Sequence, residues 1–186
     1  MLRPLFSLNR VNILTQVEEH TEHLVKCIST CQFIDLQPLF FQFTFDTTTF
    51  LLFGRSMNSL QATSTHDAVS AQEFEFSQAF RISQDFLFRR ARLGNQYWLI
   101  DGTTFRKQCS IVHKFIDEAV QGALSMERED GKSADVHSFL DALIHITHEP
   151  KILRDQLLNV MLAGRDTTAC CLTWTLYVEL YLRTRW

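Results

Sequence analysis

The sequence predicts an all-α fold, and three features of its composition and patterning support that prediction. Hydrophobic residues make up 46% of the 186 residues, and 16 of them are phenylalanines. Helix-breaking residues are scarce, with 6 glycines and 3 prolines. Apolar residues recur every three or four positions along most of the chain, which is the spacing of helices that are buried on one face. A chain of this length can bury one substantial core, so we predict a single domain over residues 1–186.

The first half of the chain contains three predicted helices. Apolar spacing from Ser7 onward, through SLNRVNILTQVEEHTEHLVKCIST, predicts the first. The segment FFQFTFDTTTF alternates as a strand would, but a helical period continues over the longer window 36–51 and favours a second helix. Pro38 would lie in its first turn and Gly54 would end it. After the polar stretch NSLQATSTHD, a third helix with a ragged pattern ends at Gly94.

The second half begins with a short aromatic link, NQYWLIDG, followed by a clearly amphipathic helix from TTFRKQC to SMERED. DVHSFLDALIHITHE predicts a shorter helix, and Pro150 starts the last and longest one, at about residues 150–183. This last helix is long enough to cross a membrane. However, Arg165 and Asp166 near its middle would each cost about 3 kcal/mol there. We therefore predict a buried central helix that is apolar nearly all round.

The centre of the last helix, LAGRDTTACC, contains residues that weaken a helix or resist burial. Gly164 costs about 1 kcal/mol relative to alanine and, like Ala163, leaves room beside the backbone. Asp166 places a carboxylate next to the alcohol of Thr167, and a mid-helix threonine can bond back to a carbonyl one turn earlier. Such a notch suits a small polar molecule that receives protons. The alternative is a purely structural Arg165–Asp166 ion pair with the threonines packed around it.

Charge and cysteine content exclude several classes of protein. The net charge is −3 and the basic residues are scattered, so the sequence gives no electrostatic case for nucleic-acid binding. Five cysteines without a C-x-x-C pair argue against a disulfide framework and a structural zinc site, and favour a reducing compartment. We expect Cys170 and Cys171 to be small buried hydrophobes. The N-terminal stretch MLRPLFSLNR has no long apolar run, so we expect neither a signal peptide nor an anchor in it.

Two histidine clusters have spacings that metal ligands can adopt on a helix. They are His20 and His23 with Glu19, and His145 and His148 with Glu149. Neither cluster matches H-E-x-x-H, and both lie among charged residues. We therefore predict solvated helix faces at both positions and no metal site.

The hexapeptide AGRDTT resembles the motif A/G-G-x-D/E-T-T/S on the central distal helix of the cytochrome P450 family, the haem-thiolate monooxygenases. The surrounding EPKILRDQLLNVMLAGRDTTACCLTWTLY resembles the same helix in the fungal microsomal branch that hydroxylates alkanes and fatty acids. LRPLFS, DLQPLFFQFTFDTTTFLLFG and RRARLGNQYWL are similar to that branch as well. The resemblance extends from about Leu2 to Tyr177 and implies a partial cytochrome P450 fold.

The resemblance implies a role for most residues of the motif. Ala163 and Gly164 would leave a groove over the haem iron for dioxygen, Asp166 and Thr167 would guide protons to it, and Thr168 would support them. Arg165 occupies the variable position of the motif and receives no chemical role. The resemblance further implies a haem cofactor, an NADPH-dependent reductase, lipophilic substrates and, for the full-length family, the endoplasmic reticulum membrane. It implies no nucleic acid and no metal cluster.

The sequence also departs from the family pattern. No cysteine stands in F-x-x-G-x-R-x-C-x-G and no E-x-x-R occurs, and the family places both elements after this helix. We therefore expect an incomplete domain that lacks the N-terminal anchor and the haem-ligand region, is cytoplasmic and is inactive alone. The alternatives are a non-catalytic helical fragment, a repurposed helical binding module, or an unrelated bundle. We expect substrate contacts in QDFLFRRARLGNQYWL and at the start of the last helix.

Overall fold

The computed structural model describes residues 12–30, 34–62, 71–130 and 138–184. Its helices are α1 (Asn12–Thr30), α2 (Leu36–Phe53), α3 (Ser59–Ala62), α4 (Ala71–Leu93), α5 (Thr103–Asp130), α6 (Phe139–Ile144) and α7 (Pro150–Arg183). A short 3-10 helix, Gly94–Ile100, joins α4 to α5 in place of the predicted aromatic link. The described residues contain no strand. The predicted all-α class is therefore confirmed.

The ends of α2 follow from local signals in the sequence. The carboxylate of Asp35 accepts a hydrogen bond from the backbone N–H of Gln37 at 3.1 Å and caps the first turn. Gly54 adopts φ 71°, in the left-handed region, and its N–H donates to the Phe50 carbonyl at 2.8 Å. Buried residues occur on every side of α2, so the segment is a helix despite its local alternation.

The core consists of two clusters of buried side chains. In the larger cluster α2, α4, α5, α6 and α7 meet, and the ring of Phe76 on α4 stacks on Phe115 of α5 at a centroid distance of 4.1 Å. The smaller cluster joins α1, α2 and α3 to Ala169 of α7. Because α7 contributes to both clusters and packs along α2, its central turns are held on one side by the rest of the fold.

The last helix, α7, is buried on one side rather than nearly all round. Pro150 lies in its first turn, and Leu153, Leu157 and Met161 are fully buried. After Ala169, Leu172 and Leu176 still pack against the smaller cluster, whereas Trp174 and Tyr177 are exposed. The prediction of a helix buried nearly all round is therefore wrong, because the other described helices cover only one side of α7. Among the described helices, none combines the length and hydropathy needed to cross a bilayer.

The other predicted elements are present with shifted bounds. α1 begins at Asn12, and the predicted start of this helix at Ser7 lies outside the described residues. α6 is shorter than predicted and begins at a capping box, in which Ser138 and Asp141 each accept a hydrogen bond from the other's backbone N–H. The one-domain prediction itself is not tested by these observations.

Candidate functional site

The motif residues Ala163 to Thr168 lie on α7 where it crosses α2. Ala163, Thr167 and Thr168 are exposed, whereas Gly164 is half-buried against Thr48 of α2. A Cβ atom at Gly164 would lie 3.0 Å from Thr48 Oγ1 and 3.3 Å from Thr48 Cγ2. The missing side chain of Gly164 therefore lets α7 approach α2, while Ala163 provides the small side chain on the exposed side.

The exposed side of α7 forms a strip of residues spaced by three or four positions. We define this α7 strip as Ala163, Thr167, Cys170, Cys171 and Trp174, all of which are exposed. The hydroxyl of Thr167 donates a hydrogen bond to the carbonyl of Ala163, one turn earlier, as the sequence predicts. The prediction that both cysteines are buried is wrong, because the described part of the chain places nothing over this side of the helix.

Arg165 and Asp166 form a buried ion pair beside the strip. Nη1 of Arg165 donates to Oδ1 of Asp166 at 2.8 Å, and the two side chains are only 10% and 12% exposed. Burial raises the pKa of the Asp166 carboxyl, and the adjacent guanidinium partly offsets that effect. Burial likewise lowers the pKa of Arg165. The second carboxylate oxygen, Oδ2 of Asp166, is buried and has no hydrogen-bond partner among the described residues.

Arg165 organises the contact between α7, α2 and α4. Its guanidinium carbon lies 5.0 Å from the ring centroid of Phe41, 5.6 Å from Phe80 and 6.0 Å from Phe45. Its backbone carbonyl accepts a hydrogen bond from Thr44 Oγ1 at 2.9 Å. The ion pair proposed as the structural alternative is therefore present, although Thr167 and Thr168 are exposed rather than packed around it. The sequence analysis assigns Arg165 no chemical role. The signal for its structural role is an arginine directly before an aspartate within an apolar helix.

A second buried carboxylate, Asp46 on α2, was missed by the sequence analysis. It is 1% exposed and accepts hydrogen bonds from the backbone N–H groups of Ser59 and Leu60 at 2.8 and 3.0 Å. Burial raises the pKa of Asp46, and these hydrogen bonds oppose the shift. Its position inside the apolar run FTFDTTTF was the signal that could have revealed it. Asp46 fastens the start of α3 to α2.

The first histidine cluster differs from its prediction. His20 is 7% exposed, its ring lies 6.5 Å from that of Phe50, and burial lowers its pKa. The predicted solvated face is wrong for His20, because α1 turns this residue towards α2. His23 lies 3.0 Å from Gln61 Nε2 and is half-buried.

At the second cluster the predicted exposure is confirmed, because His145, His148 and Glu149 are all exposed. The predicted helix does not reach His148, since α6 ends at Ile144 and His148 lies in the connection to α7. No group of side chains suited to holding a metal ion occurs among residues 12–30, 34–62, 71–130 and 138–184.

Comparison with known proteins decides the family. The family model described as "Cytochrome P450" matches residues 2–183. The chain belongs to the cytochrome P450 family. It is 46% identical over 180 residues to a cytochrome P450 of Arthroderma benhamiae, covering 95% of this chain and 35% of that protein. The predicted resemblance to the cytochrome P450 family is thus confirmed.

Further relatives in the family come from yeasts. The chain is 42% identical over 185 residues to cytochrome P450 52A9 of Candida maltosa, covering 95% of this chain and 35% of the relative. It is 41% identical over 186 residues to cytochrome P450 52A1 of Candida tropicalis, covering 97% of this chain and 34% of the relative. The chain therefore spans about a third of the length of these cytochrome P450 relatives.

Membership of the cytochrome P450 family implies haem, and the α7 strip fits one face of such a group. The strip is open at Ala163, where the side chain is small, and presents the hydroxyl of Thr167. Asp166 beside it has an unpartnered carboxylate oxygen of the kind that a water molecule or another ligand would satisfy. The fit concerns this one face of the haem.

Proposed function

We propose that this chain forms the oxygen-side wall of a haem-dependent monooxygenase that hydroxylates fatty acids or alkanes. Dioxygen would be the oxidant, and an NADPH-dependent reductase would supply the electrons. When bound, the haem supplies the redox chemistry that activates dioxygen. The observation that carries the proposal is the open α7 strip at Ala163 and Thr167, flanked by a buried carboxylate with one unpartnered oxygen.

Some residues in and beside the strip provide space for a ligand, and others provide hydroxyl groups for proton transfer. Ala163 leaves space beside the backbone, and Gly164 lets α7 settle against α2 at that level. The hydroxyl of Thr167 donates to the Ala163 carbonyl, so its oxygen can still accept a proton-bearing partner. Thr168, exposed next to it, is the supporting hydroxyl.

Asp166 is the proton donor in this proposal. Arg165 holds Oδ1 at 2.8 Å, which leaves Oδ2 as the oxygen that can exchange a proton. The raised pKa brings the carboxyl closer to neutral pH, where a general acid works best. Arg165 acts through Asp166 and is a positioning residue.

A lipophilic substrate suits the segment QDFLFRRARLGNQYWL. Phe88, Tyr97, Trp98 and Leu99 in this segment are all more than half exposed and present apolar surface around the end of α4. We propose that the substrate contacts this segment and the start of α7, and that the complete protein works at the endoplasmic reticulum membrane.

The test uses the complete product of the transcript that encodes these residues, expressed in yeast microsomes with an NADPH-dependent reductase. Lauric acid and dodecane are the substrates, and hydroxylated products are measured by mass spectrometry. We expect product formation that falls at least tenfold in Asp166→Asn and Thr167→Ala. Thr175→Ala, an exposed threonine two turns further along α7, is the matched control and is expected to retain activity.

The same assay separates the second candidate, a non-catalytic helical binding module. The exposed Trp174, Tyr177 and Tyr181 on α7 favour this candidate, because such a module binds through an apolar helix face. If the purified product contains no haem and the assay yields no hydroxylated substrate, the monooxygenase proposal is rejected in favour of the binding module.

A further inference from the structure

A cavity of about 240 Å³ lies where α2, α3, α4 and α7 meet. Arg81 and Gln78 reach it from α4, Gln42 from α2 and Arg165 from α7. Phe41 and Phe74 contribute apolar wall. No aspartate or glutamate of the described residues lines this cavity.

The cavity is separate from the α7 strip. Arg165 follows Ala163 by two positions, which is a rotation of about 200° around a helix. The cavity and the strip therefore lie on opposite sides of α7. A ligand in the cavity would therefore not contact the strip on which the proposed monooxygenase activity rests.

The charges at the cavity leave it one positive charge in excess. Arg165 is compensated by Asp166, whose Oδ1 lies 2.8 Å from its Nη1. Arg81 donates to the neutral side chain of Gln78 at 3.0 Å and forms no ion pair among the described residues. The two guanidiniums are near enough for Arg81 to lower the pKa of Arg165. An anion between them would relieve this repulsion.

The rings and donors around the cavity define the kind of anion. Guanidinium and carboxamide groups donate hydrogen bonds in the geometry that a carboxylate accepts. Phe41 and Phe74 both line the cavity, and Phe74 is 48% exposed, so an apolar group attached to the carboxylate could contact aromatic rings there. The volume is below that of a typical drug-sized pocket, which limits the ligand to a small molecule.

We propose that the cavity between Arg81 and Arg165 binds a small monocarboxylate with an apolar or aromatic portion. Benzoate is the probe of that chemistry. One full negative charge matches the excess charge of the site, and the ring would lie against Phe41 and Phe74. Arg81 is the specificity-determining residue, because Arg165 is already paired.

The experiment titrates benzoate onto the purified 186-residue chain at micromolar protein concentration, followed by saturation-transfer difference NMR. Benzyl alcohol, which has the same ring without the charge, and inorganic phosphate are titrated in parallel. Arg81→Gln removes the unpaired guanidinium. Lys107→Gln, which removes an exposed cation on α5 outside the cavity, is the matched control. Circular dichroism verifies that both variants retain the helical content of the parent chain.

We expect saturable benzoate binding that weakens at least tenfold in Arg81→Gln and is unchanged in Lys107→Gln, since a hydrogen bond to a charged group accounts for about that factor. Benzyl alcohol is expected to bind at least tenfold more weakly than benzoate. Equal binding of the alcohol, equal weakening in both variants, or no weakening in Arg81→Gln would overturn the proposal. Phosphate binding tighter than benzoate would also overturn it, because the site would then select charge without the apolar portion.

Discussion

The close approach of α7 to α2 predicts the effect of a side chain at Gly164. The Cβ of an alanine there would lie 3.0 Å from Oγ1 and 3.3 Å from Cγ2 of the buried Thr48, so the Thr48 side chain must give by a few tenths of an ångström within a packed contact. Overpacking of this kind costs about 1–3 kcal/mol. Alanine returns about 1 kcal/mol through its higher helix propensity. We therefore expect Gly164→Ala to lower the free energy of unfolding by about 1 kcal/mol.

A double-mutant cycle separates the effect of the Gly164–Thr48 contact from the effect of helix propensity on the free energy of unfolding. Thr48→Ala removes both close atoms and leaves only a Cβ, which lies at an ordinary distance of 3.8 Å. In that background Gly164→Ala is expected to raise the free energy of unfolding by about 1 kcal/mol, which gives a coupling of about 2 kcal/mol. Urea unfolding followed by circular dichroism measures all four proteins, at two low micromolar concentrations to verify that self-association does not contribute.

Gly122 on α5 provides the matched control. It also lies within a helix, but a Cβ there would meet nothing within 4 Å. Gly122→Ala is therefore expected to stabilise the chain by about 1 kcal/mol through propensity alone. If Gly164→Ala stabilises as much as Gly122→Ala does while Thr48 is present, the argument from close packing is refuted.

Three further predictions concern titration, the ion pair and the exposed end of α7. The folded-state pKa of His20 lies below its ordinary 6.5, so as the pH falls the imidazole is protonated in the unfolded chain before it is protonated in the folded chain. The free energy of unfolding, measured with urea, should therefore decrease as the pH drops through 6.5. His20→Gln should lack this dependence and His148→Gln should keep it. Arg165→Met leaves the buried carboxylate of Asp166 without its partner and should lower the free energy of unfolding by about 3 kcal/mol. Adding Asp166→Asn should recover part of this loss. An equal loss in the double variant would contradict this prediction. The exposed apolar end of α7 should make the chain self-associate, and Trp174→Glu should reduce this in sedimentation velocity; a monomeric parent with a sharp thermal transition would contradict it.

The helix boundaries were predictable because local residues determine them. Gly54 and Gly94 both adopt positive φ at the ends of α2 and α4, and Pro150 begins α7 where its missing N–H has no cost. The back-bond from Thr167 to Ala163 is local too, since it spans one helical turn. Signals of this kind act over a few residues and do not require knowledge of the neighbouring helices.

The burial of individual residues was not predictable in the same way. His20 lies among charged residues in the sequence yet is buried. Cys170 and Cys171 lie in an apolar stretch of the sequence yet are exposed. Each outcome depends on which side of a helix meets another helix. In α7, apolar residues occur around the whole circumference, so the hydrophobic period does not select a side. The orientation is set by tertiary contacts with α2.

The orientation of α7 also determines which substitutions report on function. Gly164 belongs to the family motif, and the resemblance alone assigns it to an oxygen groove, but in this chain it faces Thr48 of α2. A loss of activity in a Gly164 variant would therefore mix helix packing with any effect at the groove. Ala163 and Thr167 lie on the exposed side of α7. Activity differences at these two positions, measured at unchanged unfolding free energy, separate the chemistry of the motif from its packing.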